Sequence, residues 1–177
     1  MKNTFTFWVT LLGAALAPAH AAEWGIDPDR IVASGGSAGG HLAACTAVIV
    51  DDDKASENAT FSPVPNALVL FNPVLDTTAK GYGAKNFKAE QQTTLSPCHH
   101  VRPGVGPTII FHGRADTTVP YATVEKFAEV MQAAGNRCEL VGYEGQPHGF
   151  FNKSKMAETL GATDAFLVSL GYLPAAH

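Results

Sequence analysis

Ala67-Leu68-Val69-Leu70-Phe71 is an apolar run without a polar break, and it narrows the folds open to this chain more than any other segment. A strand with one wet face alternates apolar and polar residues. A continuous run instead expects a strand covered on both faces, the setting of a parallel sheet between layers of helices. Asn72-Pro73 then ends it. The rest of the chain fits that setting. The turn Asp27-Pro28-Asp29 leads into the β-rich run Arg30-Ile31-Val32-Ala33, and Ala38 to Val50 reads as a mostly apolar helix stopped by Asp51-Asp52-Asp53. Residues 54–65 read as a loop, and residues 76–107 as an irregular excursion holding one short helix. Thr108-Ile109-Ile110-Phe111, closed by His112-Gly113, is the next expected strand. From Tyr121 to Ala134 the apolar positions Val124, Phe127, Ala128, Val130 and Met131 mark an amphipathic helix capped by Gly135. Cys138 to Tyr143 is a fourth strand, and Ser154 to Leu170 a last helix ended by Gly171. The expected class is α/β, with about four mainly parallel strands flanked by helices.

Three residue types that work together in nucleophilic catalysis stand at the carboxyl ends of these strands. Gly35-x-Ser37-x-Gly39 lies between a strand and a small-residue helix, which is the spacing of a nucleophile elbow. A serine projecting from so sharp a turn leaves no room for side chains two residues to either side. The first turn of the following helix offers the backbone N–H of Ala38 to an oxyanion. A serine needs a base, and the base needs an orienting acid. Asp116 follows the Thr108–Phe111 strand in His112-Gly113-Arg114-Ala115-Asp116, and His148 follows the Cys138–Tyr143 strand in Gly145-Gln146-Pro147-His148-Gly149-Phe150. Singly, each has a plainer reading: a glycine-rich turn, a turn aspartate, a core imidazole. Jointly, in the order Ser, Asp, His, they are candidates for nucleophile, acid and base. Phe150, Phe151, Asn72 and Tyr121 could line a pocket or simply pack.

On these residues the stretch from Ile26 to Phe151 resembles the C-terminal half of an α/β-hydrolase, on the esterase/lipase side of that superfamily. Gly35-Gly36-Ser37-Ala38-Gly39-Gly40-His41-Leu42-Ala43 is similar to the elbow of bacterial carbohydrate-esterase-like and hormone-sensitive-lipase-like proteins. The resemblance implies a serine ester hydrolase acting on a small-molecule or carbohydrate ester, with no cofactor and no metal. Peptidases of the prolyl-oligopeptidase type share the same half-domain but usually carry an aromatic residue where this chain has Ala38, so the esterase reading is favoured over the peptidase one. Such families also carry strands ahead of the elbow and a His-Gly-Gly type motif that completes the oxyanion hole. No such motif lies upstream of Ser37. The expectation is therefore a C-terminal half only, with a bare apolar edge at Ile31 to Ala33 open to self-association or a partner. A catalytically incomplete fragment or subunit is the alternative.

The first residues read as a leader. Lys2 precedes the apolar run Phe5 to Leu16, and Ala19-His20-Ala21 supplies small residues for a signal peptidase. Pro18 argues against the other reading, a buried helix continuing into the domain. Residues 1–21 are thus an expected signal peptide and residues 22–177 the partial catalytic domain, secreted or periplasmic. Glu23-Trp24-Gly25 looks like the tail and C-cap of a helix. The 177 residues, 46% hydrophobic and 16% charged, suit one globular domain, and a net charge of −4 gives no basic footprint for nucleic acid. The apolar run is too short for a stable membrane span. Cys45, Cys98 and Cys138 are too few for a disulfide framework, and Cys45 falls in an apolar helix as a buried thiol.

Overall fold

A computed structural model of the chain describes residues 8–9, 20–49, 64–82 and 86–175. Its centre is a parallel sheet in the order β1 (Trp8–Val9), β2 (Val32–Gly36), β3 (Ala67–Phe71), β4 (Thr108–Gly113) and β5 (Cys138–Tyr143). The helices are α1 (Ala21–Trp24), α2 (Ala38–Val48), α3 (Ala89–Thr94), α4 (Tyr121–Ala133) and α5 (Met156–Ser169).

The uninterrupted apolar run does what its composition requires. Every residue of β3 is buried, because both faces of the sheet are covered. Period-two alternation divides the apolar residues between two cores. Leu68, Leu70 and Ile110 meet Ala43, Ala44, Ala47 and Val48 of α2 and Val124, Phe127 and Met131 of α4. On the other face Val69, Phe71, Ile109 and Phe111 meet Phe166 and Leu167 of α5 together with Phe150. Each Val, Leu, Ile, Phe or Met among them, fully removed from water, contributes about 1.5–3 kcal/mol.

Two strands run further than their apolar residues. β2 continues through Gly35 and Gly36, which pair with Leu70 and Phe71, and β4 continues through His112 and Gly113, which pair with Gly142 and Tyr143. The excursion contains α3 and a 3-10 turn at Pro97–His99, tied back where Thr77 donates to the Gln92 carbonyl. Gly25, Gly135 and Gly171 all take positive φ at the ends of helices, as C-caps do.

The edge expected to be bare at Ile31 to Ala33 is occupied. Trp8 and Val9 pair in parallel with Val32 and Ala33, so β1, not β2, is the outermost strand on that side among the described residues. These two residues come from the apolar run read as a leader; the rest of that run, the Asp51–Asp53 helix stop and the 54–63 part of the loop lie outside the described residues. All three cysteines are free thiols. Cys98 and Cys138 are buried and Cys45 is half-buried; burial pushes the Cys45 thiol up to about 11 and Cys138 to about 12, which keeps both protonated and unreactive. Among the described residues no helix is long and apolar enough to cross a membrane.

Candidate active site

The glycines around Ser37 shape the turn, although not all in the expected way. A Cβ on Gly35 would run into the backbone of Gly39, and one on Gly40 would meet the Gly35 carbonyl and Pro73. A Cβ on Gly36 would strike the ring of Phe151. Gly39, expected to be as crowded as Gly35, faces open space instead. The close approach therefore runs between the end of β2 and the start of α2 through Gly35 and Gly40. Ser37 itself sits at φ 55 and ψ −118, a conformation side-chain-bearing residues rarely adopt. It is held there by its own N–H, which donates to the Phe71 carbonyl at 2.9 Å, and by its carbonyl, which accepts from His41 N–H at 3.0 Å.

Asp116 lies in the tight turn after β4, with its side chain fully buried. Oδ1 accepts from the N–H groups of Thr118 and Val119 at 2.8 and 2.9 Å. That leaves Oδ2 for the imidazoles: His148 Nδ1 is 2.7 Å away and His112 Nε2 3.3 Å. His148, on the loop after β5, completes the line with Nε2 at 2.9 Å from Ser37 Oγ. The expected residues Ser37, Asp116 and His148 thus meet at the carboxyl ends of β2, β4 and β5, where open parallel sheets gather functional groups. Ala38 opens α2, and an N–H at the first helical position has no partner within its own helix.

Two further side chains belong to the site: Asn72, which the sequence offers only as a residue that could line a pocket or simply pack, and His112, to which it gives no role. Asn72, the residue after β3, is fully buried at φ 35; its amide reaches His148 Nε2 at 3.4 Å and accepts from Gly149 N–H at 3.1 Å. His112, the last residue but one of β4, is also fully buried. Its Nε2–H donates to the Val119 carbonyl at 3.0 Å, and its Nδ1 has no hydrogen-bond partner. Burial outweighs the neighbouring Asp116 carboxylate and pulls the His112 imidazole below its ordinary range, so it is a neutral donor beneath Asp116. Phe150 packs on Tyr143, while Phe151 stacks on Phe71 and lies over Gly36. These rings hold the His148 loop against the sheet. Tyr121 packs edge-on to His112 and beneath the guanidinium of Arg114. Among the described residues no group of three His, Cys, Asp or Glu side chains is placed to hold a metal ion.

A parallel sheet between helices, carrying serine, carboxylate and imidazole beyond the ends of β2, β4 and β5, is the arrangement of the α/β-hydrolase fold. The family model described as "Prolyl oligopeptidase family" matches residues 14–171, and the chain belongs to that family. Several similar proteins are esterases. Esterase 2 of Thermogutta terrifontis, solved phosphoramylated by tabun, superposes with a TM-score of 0.83 at 47% identity, over 94% of this chain and 64% of that one. The same esterase has also been solved with propionate and with butyrate bound. A probable isoprenylcysteine alpha-carbonyl methylesterase of Arabidopsis thaliana is 28% identical over 152 residues, 73% of this chain and 32% of its own length. An acetylxylan esterase of Xylanibacter ruminicola is 28% identical over 148 residues, 73% of this chain and 28% of its own. The chain therefore spans about a third of the curated relatives it matches. Family and neighbours together set the chain among serine hydrolases whose similar members are esterases.

Proposed function

We propose that this chain is the catalytic part of a carboxylesterase acting on short acyl esters through Ser37, His148 and Asp116. The observation that carries the reading is the single imidazole held between Asp116 Oδ2 at 2.7 Å and Ser37 Oγ at 2.9 Å. In this reading Ser37 Oγ attacks the ester carbonyl carbon as its proton passes to His148 Nε2. The tetrahedral oxyanion accepts a hydrogen bond from the Ala38 N–H. The C–O bond to the alcohol then breaks, and His148 returns the proton to the departing oxygen. Water, deprotonated by the same Nε2, releases the acid from the acyl-serine. Propionate and butyrate in the Thermogutta esterase point to acyl groups of that size, and the acetylxylan esterase relative to an acetylated carbohydrate as the alcohol side.

The family model favours a second reading, a peptidase for prolyl amides. Rates on p-nitrophenyl acetate, propionate and butyrate, set beside a prolyl p-nitroanilide and acetylated xylan, separate the two. Ester turnover is expected to lead, and to vanish in Ser37→Ala. Equal ester rates in both proteins would sink the esterase reading, and faster prolyl-amide cleavage would reverse the order.

Export is part of the proposal, resting on Lys2, the apolar run and Ala19-His20-Ala21. Cleavage after Ala21 would also remove β1 and uncover the edge of β2, leaving it open to self-association. N-terminal sequencing of the protein recovered from the periplasm or medium of a bacterial host is expected to begin at Ala22. Retention of Met1 would argue instead that β1 stays in the sheet.

A further inference from the structure

We propose that Asn72 is a positioning residue that holds the Nε2 of His148 as a proton acceptor, at the atom that must take the serine proton. The inference rests on the roles proposed above for His148 and Ser37, and it starts from an amide whose orientation its neighbours dictate. Gly149 N–H can only donate, so the Asn72 atom it meets at 3.1 Å is the carbonyl oxygen Oδ1. The other end of the amide, Nδ2, therefore faces His148 Nε2 at 3.4 Å. An amide nitrogen can only donate, so the imidazole nitrogen opposite must present its lone pair. Asp116 makes the complementary demand at the far side of the ring, where Oδ2 requires a proton on Nδ1 at 2.7 Å. The two contacts select one neutral tautomer from opposite sides.

The contact to Ser37 Oγ at 2.9 Å is shorter and remains the reacting one. Asn72 acts beside it. Once the serine proton has moved to Nε2, two N–H groups face each other across the Asn72 contact and that hydrogen bond is lost. The amide thus favours the free base over the imidazolium, and in the imidazolium it leaves the new N–H aimed at the serine and the departing alcohol. The backbone serves the same end. Asn is among the few residues with a side chain that tolerate a positive φ, and here φ 35 turns the amide from the end of β3 across to the His148 loop. The titratable groups set against His148 are Asp116 from the turn after β4, the buried neutral His112 of β4, and the Ser37 hydroxyl.

Asn72→Asp keeps the shape and the acceptor for Gly149 N–H but replaces Nδ2 by a carboxylate oxygen, which stabilises a proton on Nε2. The acid limb of the kcat/KM profile is then expected to move up by roughly one pH unit or more, so that activity near the foot of the limb falls about tenfold further than on the plateau. Asn72→Ala is expected to lower the plateau with a smaller movement of the limb. A role confined to anchoring the loop would lower both plateaus and leave the limb of Asn72→Asp where it is in the wild type, and that result would overturn the proposal. A second measurement needs no turnover. Nitrogen-15 NMR of the wild-type imidazole, with His148 assigned by its loss in His148→Gln, is expected at neutral pH to show Nδ1 protonated and Nε2 bare. Nε2 found protonated there would overturn it. In a protein without ester turnover, a His148 that takes its proton at higher pH in Asn72→Asp than in the wild type, followed by the same NMR, would uphold the Asn72 assignment while the esterase reading fails; an unchanged midpoint would overturn it.

Discussion

Ser37→Ala and Ser37→Gly are both expected to lose ester hydrolysis by roughly 10⁴–10⁶-fold, and the glycine variant is expected to be the more stable of the two. The loss follows from the geometry. Without Oγ, His148 Nε2 has no hydroxyl to deprotonate, and what survives is the contribution of binding and oxyanion donors. The order of stability follows from the backbone. In an ordinary helix or strand, glycine is about 0.5–1 kcal/mol worse than alanine because its unfolded chain has more freedom to lose. At φ 55 and ψ −118 the Cβ of alanine keeps a backbone penalty of about 1–3 kcal/mol that glycine does not carry. Both variants lose the same hydrogen bond, so their difference is that penalty less the entropic cost of glycine. Strain at the upper end of this range would make the glycine protein melt several degrees above the alanine protein, at about 2–4 °C per kcal/mol for a domain of this size. Calorimetry of the two variants checks it; an alanine variant that melts higher would show that the strain at Ser37 is smaller than the entropic cost of glycine.

The same backbone explains how much of this molecule could be read from its sequence. β3 and β5 occupy the expected residues: β3 because an unbroken apolar run bounded by turn residues has few other uses, β5 because Leu140, Val141 and Tyr143 stand between the turn residues Gly135 and Gly145. β2 was expected to stop at Ala33 but runs to Gly36. Glycine argues for a turn on local grounds, yet here the missing Cβ atoms let the strand pass under Phe151 and over Gly39 while its backbone stays paired with β3. Trp8 and Val9 show the opposite limit. A short apolar run suits an export signal and a strand equally well, and only a partner in space, β2, distinguishes them.

The site was legible where chemistry and position coincide. Ser37, Asp116 and His148 each stand just beyond a strand recognisable from its apolar residues, so their meeting could be expected from topology. Asn72 stands in the equivalent place beyond β3, and that position was the available signal. It was read as a strand terminator because an Asn-Pro pair ends strands whether or not its amide is used. Its partners His148 and Gly149 lie far along the chain, at a spacing that no local period marks. His112 is hidden in the same way, as half of the His-Gly pair that closes β4, although its burial makes it a fixed neutral donor to Val119 beneath the Asp116 carboxylate.

Asp116→Asn is expected to fold normally and to lower kcat by roughly 10⁴-fold, and the donors around the carboxylate say why. Oδ1 is committed to the N–H groups of Thr118 and Val119, at 2.8 and 2.9 Å, so an asparagine must place its own oxygen there. Its NH₂ then takes the place of Oδ2, facing His148 Nδ1 and His112 Nε2. His112 can keep its Val119 acceptor, but His148 Nδ1 can no longer donate and must become the acceptor. The proton moves to Nε2, where it points at Ser37 and removes the base. The shape of the site is unchanged while its tautomer is reversed, which separates this variant from one that merely loosens the loop. Asn72 then becomes an opponent, because its Nδ2 also faces the newly protonated Nε2. Combining Asp116→Asn with Asn72→Asp removes that conflict and further stabilises the wrong tautomer, so the double variant should be no more active than Asp116→Asn alone. Steady-state rates on a short acyl ester, with circular dichroism to establish the fold, test both statements; an Asp116→Asn protein within tenfold of wild type would show that the carboxylate does not set the His148 tautomer.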